Sequence, residues 1–367
     1  MKILFITDQL YKPGGIERVL SLKANYMAAE YKWDISILTT EQKDKKAYFE
    51  LNSKINLLDI DINYNRDKSY FSFENLKKLP KHLFELRKTI KKIKPDYVIS
   101  VSFGLDFYCL PFIGNSVKKI KEFHSSRFYD FHQNRSIKQK WKLKIRAYIE
   151  NKYNRLIILN PGEKQYYKNK NISIIPNPAP DFKGGAAKLD TKKVMAAGRI
   201  APVKGFDKLI AAWQLVITKH SEWTLDIFGD DYLGTSEKLN EMIVARGLEN
   251  SVRLMGTTPD IVSEMKNYSL YLMTSKTECF PMVLLEAMSV GLPVVSFDCP
   301  TGPKYILLEE QAELLVPDQD IEVFANQVSR LITSKSARLN YGKQAQKVAK
   351  EFNLDRTMEM WKDNLVK

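Results

Sequence analysis

Cysteine is scarce in this chain. Three residues, Cys109, Cys279 and Cys299, occur among 367. An odd count without paired spacing speaks against a disulfide framework and for reduced thiols, the expectation for a cytoplasmic protein. The four histidines, His82, His124, His132 and His220, are scattered, and no metal-ligand spacing is present. No apolar run approaches the ~20 residues that span a bilayer. The opening MKILFITDQL is too short an apolar run for a signal peptide and lacks a cleavage site. Together these absences set aside disulfide-stapled, metal-held and membrane-spanning classes.

What is present is length, apolar content and an uneven charge. A chain of 367 residues, 44% hydrophobic, is long for one domain and comfortable for two. The net charge is +14. Residues 1–180 hold 34 Lys/Arg against 18 Asp/Glu, a balance of +16, and the remainder holds 23 against 25, a balance of −2. A basic half joined to a near-neutral half suggests that the first half faces an anionic partner, nucleic acid or a membrane surface. The plainer reading is a lysine-rich surface in water.

Strand and helix patterns alternate throughout. KILFIT (2–7) reads as a buried strand, followed by DQLYKPGG and an apolar-periodic helix from about Ile16 to Ala29. Strand, glycine pair and helix open a doubly wound α/β domain, and Gly14 and Gly15 let backbone approach a ligand closely. Strands are expected at Trp33–Thr40, Ile55–Ile60, Tyr97–Val101, Ile120–His124, Leu156–Leu159 and Ile172–Ile175, with a helix over Leu76–Ile93. Residues 135–152 place Ile137, Trp141, Ile145 and Tyr148 or Ile149 on one stripe, flanked by Lys138, Lys142 and Arg146. Such a basic amphipathic helix can lie in a membrane interface. A helix packed on its own sheet, with its lysines in water, is the plainer expectation. Around 176–193 proline, glycine and small residues mark a linker, and a second strand–helix series starts at Val194.

The most informative stretch is Thr277–Phe297, TECFPMVLLEAMSVGLPVVSF. Pro281 suits the first helical position, because its missing N–H would be unsatisfied there anyway. Glu278 then stands in the loop before a helix and Glu286 in its second turn, with Gly291 as the stop. The neighbours of Glu286 are almost all apolar, so its carboxylate is buried and needs partners. The helix start suits a phosphate. A diphosphate plus a ribose fits this stretch, and so does a carboxylate in a buried ion pair. Upstream, GRIAPVKGFDKLI puts Arg199 and Lys204 in the loop after a strand, where open α/β sheets bind ligands. A planar fork and a mobile point charge make a reasonable diphosphate pair.

With these residues in place the chain resembles the group 1 family of retaining, sugar-nucleotide-dependent glycosyltransferases. The matching segments are PGGIERV at 13–19, FHSS at 123–126, IPNP at 175–178, GRIAPVKGFDKLI at 198–210, FGD at 228–230, RLMGTTPD at 253–260, ECFPMVLLEAMSVGLPVVSFD at 278–298 and LLVPDQD at 314–320. They run along nearly the whole chain in the family's order. The resemblance implies an α/β GT-B fold, two Rossmann-like doubly wound domains facing across a cleft. The expected boundaries are 1–178 for an acceptor-side domain, 179–352 for a nucleotide-sugar domain, and 353–367 for a helix packing back on the first.

The resemblance also implies roles. Arg199 and Lys204 match the pair that grips the donor diphosphate, Glu286 the glutamate that takes the ribose hydroxyls, and Glu278 the carboxylate near the transferred sugar. Backbone around Phe280, Met282 and Val283 would touch sugar and phosphate, Gly15 would approach the donor from the first domain, and His124 would meet the donor sugar near the reacting carbon. Thr258 is expected in the loop beside the base. The implied reaction is transfer of a hexose or N-acetylhexosamine with retention, from a UDP-linked donor to a glycan or polyprenyl-diphosphate-linked acceptor in cell-surface polysaccharide synthesis. It needs no metal and no cofactor, since cations and N–H dipoles answer the leaving group's charge, and domain closure would exclude water.

Two departures stand out. TGPKYIL follows FDCP where relatives often carry two glycines and a glutamate, so that Tyr305 stands in the glutamate's place. Asn160 opens a loop where relatives often have serine. The rivals are a nucleotide-sugar epimerase on the same fold, a catalytically idle scaffold that binds nucleotide sugar, and a nucleic-acid-binding protein. The last lacks a recognisable motif, so no nucleic-acid partner is expected. A cytoplasmic position, peripheral on the membrane's inner face through 135–152, is the expected location.

Overall fold

The computed structural model describes residues 1–114, 116–132, 136–180 and 185–366. The chain divides into two compact units, Met1–Pro176 with Met358–Lys367, and Asn177–Thr357.

The first unit is built on seven parallel strands: β1 (Lys2–Thr7), β2 (Asp34–Thr39), β3 (Asn56–Asp59), β4 (Tyr97–Ser100), β5 (Lys118–Glu122), β6 (Arg155–Ile158) and β7 (Ile172–Ile174). Their order is β3-β2-β1-β4-β5-β6-β7. β1 pairs with β2 on one side, Lys2 opposite Asp34, and with β4 on the other, Ile3 opposite Tyr97. Ile3, Leu4, Phe5 and Ile6 are all buried, as a parallel strand covered on both faces requires. The strand order reverses beside β1, and in open α/β sheets ligands bind at the strand ends of such a reversal.

The helix expected over Leu76–Ile93 is two helices, Phe73–Leu76 and Leu79–Ile93. The second carries Pro80 in its first turn, where proline starts a helix rather than continuing one. Its inward stripe is His82, Leu86 and Ile90. Arg135 lies outside the described residues. Helix Ile137–Glu150 begins at Ser136 with a capping box to Gln139.

This helix keeps part of the plainer expectation, with Ile149 in the core and its lysines in water, but the rest of its apolar stripe does not turn inward. Its buried side is Arg146, Ile149 and Glu150, while Ile137, Trp141, Ile145 and Tyr148 are 75%, 61%, 53% and 56% exposed. Arg146 is not a flanking surface cation either. It is buried, with Nη1 2.6 Å from Asp130 and Nε 3.4 Å from Glu150. Asp130 ties the guanidinium to the preceding helix, Phe128–His132, and Glu150 lies one turn on along the same helix, so the Arg146 side is covered and the apolar stripe faces out.

The end of the C-terminal helix, Leu354–Val366, belongs to the first unit. The Tyr97 hydroxyl donates to the Leu365 carbonyl, Arg155 donates to the Asn364 carbonyl at 3.2 Å, and Trp361 is fully buried.

The second unit has six parallel strands: β8 (Lys193–Ala197), β9 (Thr224–Phe228), β10 (Val252–Gly256), β11 (Leu270–Met273), β12 (Val294–Phe297) and β13 (Leu315–Val316). Their order is β10-β9-β8-β11-β12-β13, again reversing beside the first strand. Helices Phe206–Ile217 and Ile321–Thr333 bury Leu209, Trp213, Phe324 and Val328 in one core with Leu225, Leu272 and Phe297. Residues 181–184 of the expected linker lie outside the described residues. The segments beside them are tied into this unit, Ala179 N–H donating to the Phe352 carbonyl at 2.6 Å and Ala187 N–H to that of Val290 at 2.8 Å. Among the described residues no helix is long and apolar enough to cross a membrane.

Candidate functional site

Arg199 and Lys204 lie in the loop that leaves β8. Pro202–Lys204 form one tight turn, ended by Gly205 at φ 64°, in the left-handed region that glycine adopts at little cost. A Cβ at Gly205 would also stand 2.0 Å from the Thr274 carbonyl oxygen. Glycine therefore lets the loop press against the end of β11, where the Lys276 N–H donates to the Val203 carbonyl at 2.8 Å.

That approach brings the sequence-predicted residues of β8 and β11 together. Lys204 Nζ lies 2.6 Å from Glu278 Oε1, and the Ser275 hydroxyl donates to the same oxygen at 2.7 Å. The Thr301 hydroxyl donates to the Glu278 carbonyl at 2.8 Å. Gly302 packs so closely that a Cβ there would come within 2.6 Å of Glu278 Cβ. Glu278 is thus held from three sides, while the pair keeps partial exposure, 23% for Lys204 and 13% for Glu278. Arg199 is not drawn into this pair. It is exposed, with its guanidinium 4.7 Å from the centroid of the Tyr232 ring.

Pro281 is the cap of the following helix rather than its first residue, and the helix runs Met282–Ser289. Glu286 is buried on it at 6% exposure, among Leu284, Leu285, Ala287 and Met288. Phe280 is buried and turns its ring onto Phe352, 5.5 Å between centroids, so only its backbone is left to meet a ligand. Met282, Val283 and Thr258 are half-buried. Tyr271, fully buried, donates to the Ala197 carbonyl at 2.8 Å. Burial raises its phenol well above the ordinary range, and the charges of Glu286 and Glu278 add to that.

Of the remaining residues, Gly15, His124 and Asn160 stand in the first unit and Tyr305 in the second. Gly15 opens helix Gly15–Ala29, and a Cβ there would meet nothing within 4 Å, so packing within the unit does not demand glycine. His124, two residues beyond β5, has a side chain 7% exposed, with Nε2 3.3 Å from Glu122 Oε1. Asn160 is a structural cap: its side chain accepts from the Glu163 N–H at 3.1 Å. Tyr305 is half-buried with the Lys304 ammonium 5.4 Å from its ring centroid.

Ser275, Thr301, Gly302 and Tyr271 were not singled out in the sequence. Ser275 and Gly302 carried a signal, three residues before Glu278 and in the TGP turn respectively. A cavity of about 420 Å³ lined by Lys188, Lys193, Asp226, Arg253, Lys266 and Tyr268 shares none of the site residues. Among the described residues no group of three or more His, Cys, Asp or Glu could hold a metal ion.

Residues 179–348 match the family model described as glycosyl transferases group 1, and residues 13–180 match glycosyltransferase family 4. An uncharacterized glycosyltransferase of Haemophilus influenzae is 28% identical over 98% of this chain and 99% of its own length. The amylovoran biosynthesis glycosyltransferase AmsD of Erwinia amylovora is 24% identical over 99% of both. Among solved structures, a variant of S. aureus TarM in complex with fondaparinux, alpha-GlcNAc-glycerol and UDP superposes with a TM-score of 0.80 at 16% identity, over 100% of both chains. The fold is GT-B, and the two family models, group 1 on the second half and family 4 on the first, together make the chain a glycosyltransferase.

Proposed function

We propose that this glycosyltransferase moves a hexose or N-acetylhexosamine, with retention, from a UDP-linked donor to a glycan or lipid-linked acceptor in cell-surface polysaccharide synthesis. The observation that carries the reading is the Lys204–Glu278 pair, 2.6 Å apart and partly open, at the strand ends and just before the helix that buries Glu286. Lys204 and Arg199 answer the charge that develops on the leaving diphosphate, as preorganised cations do in such transfers. Glu286 takes the ribose hydroxyls, and Glu278 faces the transferred sugar while setting the position of Lys204. Backbone of Phe280–Val283, Gly15 and His124 complete the donor contacts, and Thr258 lies by the base. With two cations assigned to the diphosphate, the step does not call for a metal. Retention then follows from same-face attack. UDP bound to TarM and the naming of AmsD for amylovoran biosynthesis support the donor and the pathway class.

Helix Ile137–Glu150 supports a peripheral position on an anionic membrane surface. Its outward Ile137, Trp141 and Ile145 stand among exposed Lys138, Lys140, Lys142 and Lys144, and each cation near such a surface is worth about 1 kcal/mol.

The test of the donor is protection against thermal unfolding by UDP, GDP and ADP. Turnover of the protecting nucleotide's sugars with lipid-linked acceptors then follows, with the anomer of the product read by NMR. Protection by UDP and a retained anomer are expected. No protection by any nucleotide, or an inverted product, would overturn the reading. A sugar altered without any acceptor would indicate the epimerase.

A further inference from the structure

Lys23 and Glu122 form an ion pair wholly inside the first unit, their side chains 1% and 2% exposed. Lys23 comes from helix Gly15–Ala29 and Glu122 ends β5, with Nζ 2.5 Å from both carboxylate oxygens. The ammonium faces the ring of Trp361 at 4.5 Å from its centroid and that of Phe5 at 5.9 Å. Burying two charges is costly, and apolar residues of the same volume are often as stable or more so. Packing alone gives no reason for this pair.

The reason lies two residues along the chain. His124 Nε2 stands 3.3 Å from Glu122 Oε1, within hydrogen-bond distance though off the line of a good hydrogen bond. Burial raises the Glu122 carboxyl, but the positive charge of Lys23 is the largest pull against it and the carboxyl is held low. Glu122 is therefore a permanent anion facing an imidazole. In such pairs the carboxylate fixes which ring nitrogen carries the proton and how the ring is turned.

We propose that Glu122, clamped by Lys23 beneath Trp361, is a positioning residue for His124: it holds the proton on Nε2 and leaves Nδ1 as the unprotonated nitrogen for a donor-sugar hydroxyl. The inference rests on the reading of His124 as a residue that meets the donor sugar. Lys23 is then the counter-ion that keeps Glu122 charged in an apolar interior, and Trp361 ties the returning C-terminal helix to the same chain of contacts.

The decisive measurement uses the full chain labelled with 15N-histidine, His124 being assigned by comparison with His124→Gln. Two-bond 15N–1H correlations at neutral pH should show one tautomer, protonated at Nε2. The Nδ1-protonated tautomer, an even mixture of the two, or an imidazolium would overturn the proposal. The paired variant Lys23→Met with Glu122→Gln keeps shape without charge. It should lose the fixed tautomer and cut UDP release from UDP-glucose or UDP-N-acetylglucosamine by roughly 10–100-fold, as removing the outer partner of a ligating histidine does. Its protection by UDP should be unchanged, and Lys23→Arg should behave as the parent. If the paired variant keeps both tautomer and turnover, the clamp is only structural and the proposal fails. If it does not fold, the spectrum of the unaltered protein still decides. His124→Ala separates the two readings: unchanged turnover there refutes the sugar contact, while the tautomer still reports on the clamp.

Discussion

Replacing Lys204 by alanine tests the site most directly. The lysine sits 2.6 Å from Glu278 and is 23% exposed, so part of its charge is already answered by water and part by the carboxylate. For the folded protein alone the loss is small. Partly exposed ion pairs contribute about 0–1 kcal/mol, and Glu278 keeps the Ser275 hydroxyl at 2.7 Å. In a unit of this size a change of about 1 kcal/mol moves the unfolding midpoint by roughly 2–4 °C. With the donor bound, the same ammonium meets a diphosphate. A hydrogen bond to a charged group is worth about 1.5–3 kcal/mol, and every 1.4 kcal/mol is about tenfold in affinity. Lys204→Ala should therefore weaken UDP binding by one to two orders of magnitude. As bond breaking proceeds the diphosphate gains charge, and removing one preorganised donor aimed at such charge costs about 10²–10³ in kcat.

The assay is a three-way comparison of Lys204→Ala with the parent: unfolding midpoint, UDP affinity by calorimetry, and kcat at saturating donor. The pattern expected is a midpoint nearly unchanged, affinity down and kcat down further. Turnover within threefold of the parent would refute the assignment. A collapse of the midpoint with affinity per folded molecule intact would make Lys204 a structural partner of Glu278 instead.

Glu286→Ala is expected to stay folded and to lose most protection by UDP; a variant that UDP protects as it does the parent would show that the ribose is held elsewhere. Turnover should persist in EDTA, because Lys204 and Arg199 are assigned the charge that a metal would otherwise answer; activity lost in chelator and restored by magnesium or manganese would refute this. Burial lowers the Lys121 ammonium from 10.5 to about 8, against the opposing pull of Asp106. The folded chain then binds fewer protons than the unfolded one between those values, so this residue's contribution makes stability rise with pH there. The unfolding midpoint of the parent relative to Lys121→Met should climb from pH 8 to 10 and stay level below 7. Liposome sedimentation should show binding that needs anionic lipid, falls with salt and drops in Trp141→Ala with Lys142→Ala; equal, negligible binding to anionic and neutral lipid would refute the membrane contact.

The strands of both sheets were legible because parallel strands buried on two faces read as short unbroken apolar runs. KILFIT and LIIL (156–159) are such runs, and the structure places β1 and β6 on them. Helix ends were less legible where a single proline decided. Leu76 continues the three-four spacing of Leu79–Ile93, yet Pro80 starts the second helix after it. The direction of an amphipathic stripe was not legible at all at Ile137–Glu150. Periodicity tells that Ile137, Trp141 and Ile145 share a face, and only the partners of Arg146 decide which face is covered. Asp130 lies 16 residues back on the helix Phe128–His132, and Glu150 lies one turn on along the same helix as Arg146, so periodicity alone does not announce which side they hold.

The same contrast separates the two ion pairs of the sites. Lys204 and Glu278 are 74 residues apart, but each sits in a loop that follows a strand end, and adjacent parallel strands bring such loops to one edge. Their meeting follows from strand order once β8 and β11 are neighbours. Lys23 and Glu122 are 99 residues apart, on a helix and on a strand, KKIKE, whose charges hide that it is buried. Binary patterning treats a lysine there as an error or as surface, and the sequence reading passed over both. A charge that breaks the pattern inside an element carries information only when its partner is known. That is why Glu286, beside a recognisable helix start, could be read as part of a site, while Glu122, two residues before His124, could be found only in the fold.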